Sequence, residues 1–212
     1  MGRPRQFHES SVLDAALQCF WSRGYGATSI RDLIEETGVT GASLYNAFGD
    51  KRAIYERALS RYVETSIADR IRRCEVLPPL KGIEEFFAEI VRRSLSDRDR
   101  KGCMLVNAAL EIAPHDPLLQ KSISEVLVCI EAFFLRCINS GQSDGTIDAS
   151  LSAANHAHHL LSVLMGIRVL ARVRPEATLL EGAVTGALAV LRRDSVEAKP
   201  RNRRRGGQRP SS

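Results

Sequence analysis

No apolar run in this 212-residue chain approaches the roughly 18 residues that cross a membrane. The first residues, MGRPRQFHESS, lack the apolar segment of a secretory signal. No membrane partner is therefore expected, and a cytoplasmic location is. The five cysteines (Cys19, Cys74, Cys103, Cys129, Cys137) form an odd set without a CxxC pair. That argues against a disulfide framework or a zinc ribbon and for a reducing compartment. There is no Gly-rich phosphate loop, no nucleophile elbow and no carboxylate pair, so the common signatures of enzymes are missing. No segment alternates apolar and polar residues with the β-branched enrichment of a strand.

What is present is helical periodicity. Leu13, Ala16, Leu17 and Phe20 recur at i, i+3, i+4 and i+7, and Gly24 and Gly26 end that helix. Thr28 offers an N-cap to a second helix carrying Ile30, Leu33 and Ile34, which Gly38 stops. A short helix follows to about residue 47, and Asp50 caps a long one that Pro78 and Pro79 close. Further helices are expected at about 81–98, 102–113, 117–140, 149–173 and 176–193. The fold class is all-α: a three-helix N-terminal unit and a larger helical body. The divisions are a basic arm at 1–7, a first domain at 8–52, a second at 53–193 and a disordered basic tail at 194–212. From Arg192 onward there are eight basic and two acidic residues, a balance of +6, so the rest of the chain is near −1.

The stretch GVTGASLYNAFGDKRAIYERAL, residues 38–59, is the informative one. A helix selected only for packing avoids glycine, which costs about 1 kcal/mol in a helix interior. Here a tight turn at Gly38 joins two short helices. Leu33, Val39, Leu44 and Ala47 are spaced to lock the pair together. Thr40, Gly41, Ser43, Tyr45 and Asn46 are left facing outward as small polar groups and one phenol. This is the pattern of a helix-turn-helix, whose second helix enters the DNA major groove, about 12 Å wide.

At these residues the chain resembles the tetracycline-repressor (TetR) family of bacterial transcriptional regulators. Members carry an Ala-Gly-Val-Ser-x-Gly-x-Leu-Tyr-x-His-Phe-x-x-Lys type of motif; here residues 37–51 read TGVTGASLYNAFGDK. A basic arm, a helix ending Phe20-x-x-x-Gly24-Tyr25, and Thr28-Ser29 opening the next helix agree with it. Three departures are Ala47 for the usual histidine, Ala42 for the second glycine, and Ile34 for a small residue. The resemblance implies a homodimer on a double-stranded operator, with Tyr45 and Lys51 on phosphates and Thr40, Gly41, Ser43 and Asn46 near bases. Lys51 suits a phosphate physically as well, because it opens a helix whose N-terminus is already positive. The remaining DNA-facing candidates are Thr28, Ser29 and the arm residues Arg3 and Arg5, which fit a narrow minor groove.

The body carries weaker signals. Leu180, Ala183, Val184, Ala187 and Leu191 form an apolar stripe with Gly182 and Gly186 beside it, where the family builds a four-helix dimer interface. Leu161 on the preceding helix joins that seam. An unidentified small-molecule effector is expected among the helices between 81 and 173, with Phe86, Phe87, Cys103, Val106, Asn107, Leu110, Phe133 and Leu164 as walls. Cys103 follows Arg98, Arg100 and Lys101 at a helix start, a setting that favours a reactive thiolate. Some family members sense oxidants or electrophiles through a cysteine in a similar Gly-Cys segment. His156, His158 and His159 lack further ligands at metal spacing, so no metal and no cofactor is expected. Two rival readings are a Cys103–His156 nucleophile pair in an enzyme and a helical adaptor for protein partners. Neither has a supporting motif of its own.

Overall fold

Helix boundaries follow the caps that the sequence supplies. The computed structural model describes residues 9–150 and 152–192. Among them the chain forms nine helices and no strand. These are α1 (Glu9–Arg23), α2 (Ile30–Thr37), α3 (Gly41–Phe48), α4, α5 (Pro79–Ser96), α6 (Met104–Glu111), α7 (Pro117–Asp144), α8 (Ala153–Val173) and α9 (Ala177–Ala189). Helix α4 runs through Lys51–Tyr62, a π-helical stretch Val63–Ala68 and Asp69–Glu75 without a break.

The cap of α2 is Ser29, one residue later than expected. Its hydroxyl accepts from the Asp32 backbone N–H while the Asp32 carboxylate accepts from the Ser29 backbone, a reciprocal capping box. Thr28 is instead buried, its hydroxyl donating to the Gly24 carbonyl at 2.6 Å. Asp50 caps α4 as expected, accepting from the Ala53 N–H at 2.8 Å. Asp116 caps α7 by accepting from both Leu118 and Leu119. The expected break at 75–80 is the turn between α4 and α5, and Pro79 opens α5.

The π-helical stretch re-phases α4 between two neighbours. Ahead of it, Ile54, Tyr55, Ala58 and Leu59 are buried in the N-terminal unit, where the Tyr55 ring meets Phe20 edge-on at 5.0 Å. Beyond it, Arg70 and Cys74 are buried against the body. The division expected at residue 52 therefore falls inside one helix that both units share. The body's core is a cluster of Phe86, Phe87, Phe133 and Phe134, whose ring centroids lie 5.2–6.0 Å apart and whose exposure does not exceed 1%. Helices α5, α7, α8 and α9 are arranged around it.

Candidate nucleic-acid interface

The turn between α2 and α3 requires a left-handed backbone, and Gly38 adopts it at φ 69° while its N–H closes α2 on the Ile34 carbonyl. Leu33 and Leu44, both fully buried, lock the two helices. Gly41 starts α3 where an added Cβ would lie 3.2 Å from the Ile34 side chain. The bulky Ile34, one of the three departures from the motif, is accommodated because residue 41 has no side chain.

Helix α3 then presents its polar face outward. Tyr45 is 49% exposed, and Thr40 and Asn46 are exposed as well. Thr40 caps α3 by accepting from the Ser43 N–H, and the two hydroxyls lie 3.0 Å apart. Ser43 is thereby half-buried and oriented, with its hydroxyl anchored to the cap. Lys51, at the first position of α4, rests its ammonium 4.3 Å from the Tyr25 ring centroid. Of the residues expected at DNA, Ser29, Thr40, Gly41, Ser43, Tyr45, Asn46 and Lys51 belong to this face or its margins. Thr28 is enclosed at 1% exposure, because its hydroxyl closes the α1–α2 turn. Arg3 and Arg5 lie outside the described residues, as does the basic tail.

The helix-turn-helix unit is fastened to the body at three points. Trp21 of α1 donates its indole N–H to the Gly102 carbonyl at 3.1 Å. The Glu111 carboxylate, at the end of α6, accepts from the backbone N–H groups of Tyr25 and Gly26 at 3.1 and 2.6 Å. Arg52 of α4 forms a two-pronged pair with Asp116, at 2.5 and 3.0 Å. The Arg52 hydrogen bond, followed by the Leu119 N–H, lowers the Asp116 carboxyl to a pKa of about 2. Gly102 and Glu111 flank α6, and Asp116 caps α7.

Residues 12–58 match the family of bacterial regulatory proteins of the tetR type, and residues 79–187 match the tetracyclin repressor-like C-terminal domain. The chain belongs to the TetR family. It is 32% identical to the uncharacterized HTH-type transcriptional regulator YezE of Bacillus subtilis (strain 168), over 90% of this chain and 100% of that one. It is 27% identical to the HTH-type transcriptional repressor ComR of Escherichia coli (strain K12), over 81% of this chain and 82% of ComR. A cysteine mutant of the TetR family regulator CifR, solved with 26-bp double-strand operator DNA, superposes with a TM-score of 0.80 at 30% identity, covering 90% of this chain and 100% of that one. This TetR-family protein is a DNA-binding transcriptional regulator and not an enzyme.

The body residues are arranged differently from the sequence expectation. Phe86, Phe87 and Phe133 fill the closed aromatic core. Phe86, Cys103 and Leu164 line one void of about 20 Å3 together with Arg70 and Arg168. Val106, Asn107 and Leu110 are on another side, along an open groove with Arg172 and Val173. The eight expected wall residues therefore do not converge on one chamber. Cys103 is 5% exposed, and its sulfur accepts a hydrogen bond from the Tyr62 hydroxyl at 3.5 Å. The exposed thiol among the described residues is Cys129. His158 is bonded to Glu131 and His156 to the Ser152 carbonyl.

Leu180 and Ala187 of α9, and Leu191 in the turn after it, are buried inside the protomer's own core, where α9 packs against α5 and α8. Leu161, Ala183 and Val184 are half-buried. The outward face of the α8–α9 pair carries Gly166, Gly182 and Gly186, with nothing within 4 Å of where a Cβ would stand. Sequence reasoning missed Trp21, Arg70, Glu89 and Arg168. The available signal was charge in apolar surroundings: Arg168 interrupts LLSVLMGIRVLARV, and Glu89 interrupts FFAEIV.

Proposed function

We propose that this TetR-family protein is an effector-responsive repressor that binds a palindromic double-stranded DNA operator in the cytoplasm as a homodimer. The observation that carries the reading is the α3 face: Thr40, Tyr45 and Asn46 exposed on a helix held by a buried seam and free of large apolar groups. Two such helices, one from each protomer, would occupy successive major grooves about 34–36 Å apart. Tyr45 and Lys51 contact phosphates in this reading, while Ser43 and Asn46 read bases and the Arg3/Arg5 arm follows the minor groove. The relatives support it, since ComR is described as a repressor and CifR was solved on operator DNA.

The dimer seam is placed on the outward face of α8 and α9, where Gly182 and Gly186 permit close approach and Ala183, Val184 and Leu161 supply partly covered apolar surface. An effector in the body would shift α6 and, through Trp21, Tyr25–Gly26 and Arg52, the half-site spacing. Linkage then requires DNA and effector to weaken each other's binding equally.

The test is a binding titration on the DNA flanking the gene for this protein. Lys51→Ala is expected to lower affinity for all sequences and to flatten the salt slope by about 0.9 per protomer, hence about 1.8 for the homodimer. Asn46→Ala is expected to change the consensus selected from a random pool, because base contacts specify while phosphate contacts position. Unchanged affinity, slope and consensus in both variants would remove α3 from the interface.

A further inference from the structure

The body contains a cavity of about 220 Å3 at its junction with the helix-turn-helix unit, and its walls are cationic. Arg70, Arg93, Lys101 and Arg168 line it, against the single carboxylate of Asp97, which is already accepting from the Gly102 N–H at 3.2 Å. Arg70 is 2% exposed and Arg168 7%. Buried charge of one sign is costly unless each group is paired.

Here the pairing is incomplete. The one acid beside the arginines, Glu89, is shared among Arg70 at 3.2 Å, Arg93 at 3.0 Å and Arg73 at 2.9 Å. Lys101 turns to Asp99 at 3.6 Å. Arg168 has no ion pair among the described residues, and the Nε–H of Arg70 and the Oε1 of the neighbouring Glu89 are both buried without a hydrogen-bond partner. Burial and then the adjacent Arg168 charge disfavour the charged form of Arg70. The guanidinium is nonetheless the form a protein retains. A buried guanidinium with an unused Nε–H at Arg70, beside a second buried guanidinium without an ion pair at Arg168, is complementary to a planar or tetrahedral oxyanion.

We infer that this cavity is the effector site and that its ligand is a small organic anion, bound through a carboxylate or phosphate group by Arg168 and Arg70. This rests on the effector-responsive reading and gives it a chemical class. The site's location also supplies the coupling. Trp21 from α1 and Tyr62 from α4 are walls of the same cavity. The Trp21 indole N–H holds the Gly102 carbonyl on its rim. An anion drawn between the arginines and Lys101 would press on the segment that fixes the DNA-binding unit to the body.

Trp21 is the only tryptophan in the chain, so intrinsic fluorescence reports on this cavity. Butyrate, succinate and inorganic phosphate are titrated at fixed chloride and millimolar concentration, with butyramide as the neutral counterpart of butyrate. At least one anion is expected to shift the emission saturably and raise the melting temperature, with butyramide silent. A response to phosphate alone or to the carboxylates alone assigns the headgroup. Arg168→Gln is expected to raise the anion's Kd roughly tenfold to a hundredfold, as loss of a charge-assisted hydrogen bond does. Its own melting temperature should not fall below that of the wild type, because the charge removed has no acid partner. Arg168→Lys should recover part of the affinity.

A response that Arg168→Gln leaves intact, an equal response to butyramide, or no response to any of the anions overturns the inference. Operator affinity, measured on the same wild-type protein, separates this outcome from the wider reading. If DNA binds and no anion acts, the site is wrong and the regulator stands. If an anion binds and operator affinity is unmoved, the site stands and the effector role falls.

Discussion

The helix-turn-helix unit and the helical body dispose of their polar groups in opposite ways. On α3 the polar side chains are short, neutral and outward, and their backbone neighbours are satisfied by local caps: Thr40 with Ser43, Ser29 with Asp32. In the body, long charged side chains are folded inward, where Arg70, Arg168 and Glu89 are each less than 10% exposed. A surface that must meet a polyanion of fixed shape gains from small groups that allow close approach. A surface that must hold a small molecule has to enclose it, and its polar groups carry the cost of burial until the ligand arrives. The apolar support differs accordingly. Leu33, Leu44 and Phe48 form a thin seam beneath α3, whereas four phenylalanines fill the centre of the body.

That contrast can be broken most forcefully at the aromatic core. Phe87 is fully buried and stacked on Phe134 at 5.6 Å. Phe87→Ala is expected to remove about 3–5 kcal/mol of stability, as large-to-small core changes do. Tyr45→Ala on the exposed face should change stability by less than about 0.5 kcal/mol while weakening operator binding. Denaturant melts of both variants beside a DNA titration check this. A large loss of stability in Tyr45→Ala would mean that α3 is a packing element.

The joint between the two regions gives a smaller effect with a defined pH window. The folded pKa of Asp116, about 2, lies below the unfolded value of about 3.9. Its contribution to stability is therefore complete above pH 4 and is lost as pH falls through 2. Asp116→Asn should be less stable than the wild type at neutral pH and should show a shallower loss of stability between pH 4 and 2. Coincident acid limbs would show that Arg52–Asp116 does not fasten the units.

The smallest expected effect concerns thiols. Cys129 is exposed, whereas Cys19, Cys74, Cys103 and Cys137 are buried, and burial pushes the Cys137 thiol up to about 11. A maleimide should label Cys129 first and leave operator binding unchanged. Faster labelling of Cys103, accompanied by DNA release, would restore the sensor role that its sequence context suggests.

The local geometry of the helix-turn-helix was largely legible because it is short-range. Gly38, Thr40, Leu44 and Asp50 act on neighbours within a few residues, through one turn, two caps and one helix seam, so spacing alone specified their geometry. The misplaced Thr28 is instructive: both Thr28 and Ser29 can cap, and only the fold put the Thr28 hydroxyl on the Gly24 carbonyl. In the body, periodicity established that the chain is helical and which residues are apolar. It did not establish which apolar face meets which helix. Phe86 and Phe133 are expected as chamber walls from their sequence, and the fold packs them on each other across two helices. Leu180, Ala187 and Leu191 look the same from the sequence whether they face a partner or their own protomer, since an apolar stripe carries no address.

By itself, then, the sequence determined the all-α class and the helix-turn-helix with its outward polar face, because caps, turns and helical period are short-range physics. Only the tertiary structure brought Trp21, Arg70, Lys101 and Arg168 to one cavity. Their convergence depends on how α1, α4, the α5–α6 connection and α8 pack, and no spacing along the chain encodes a meeting of side chains almost 150 residues apart.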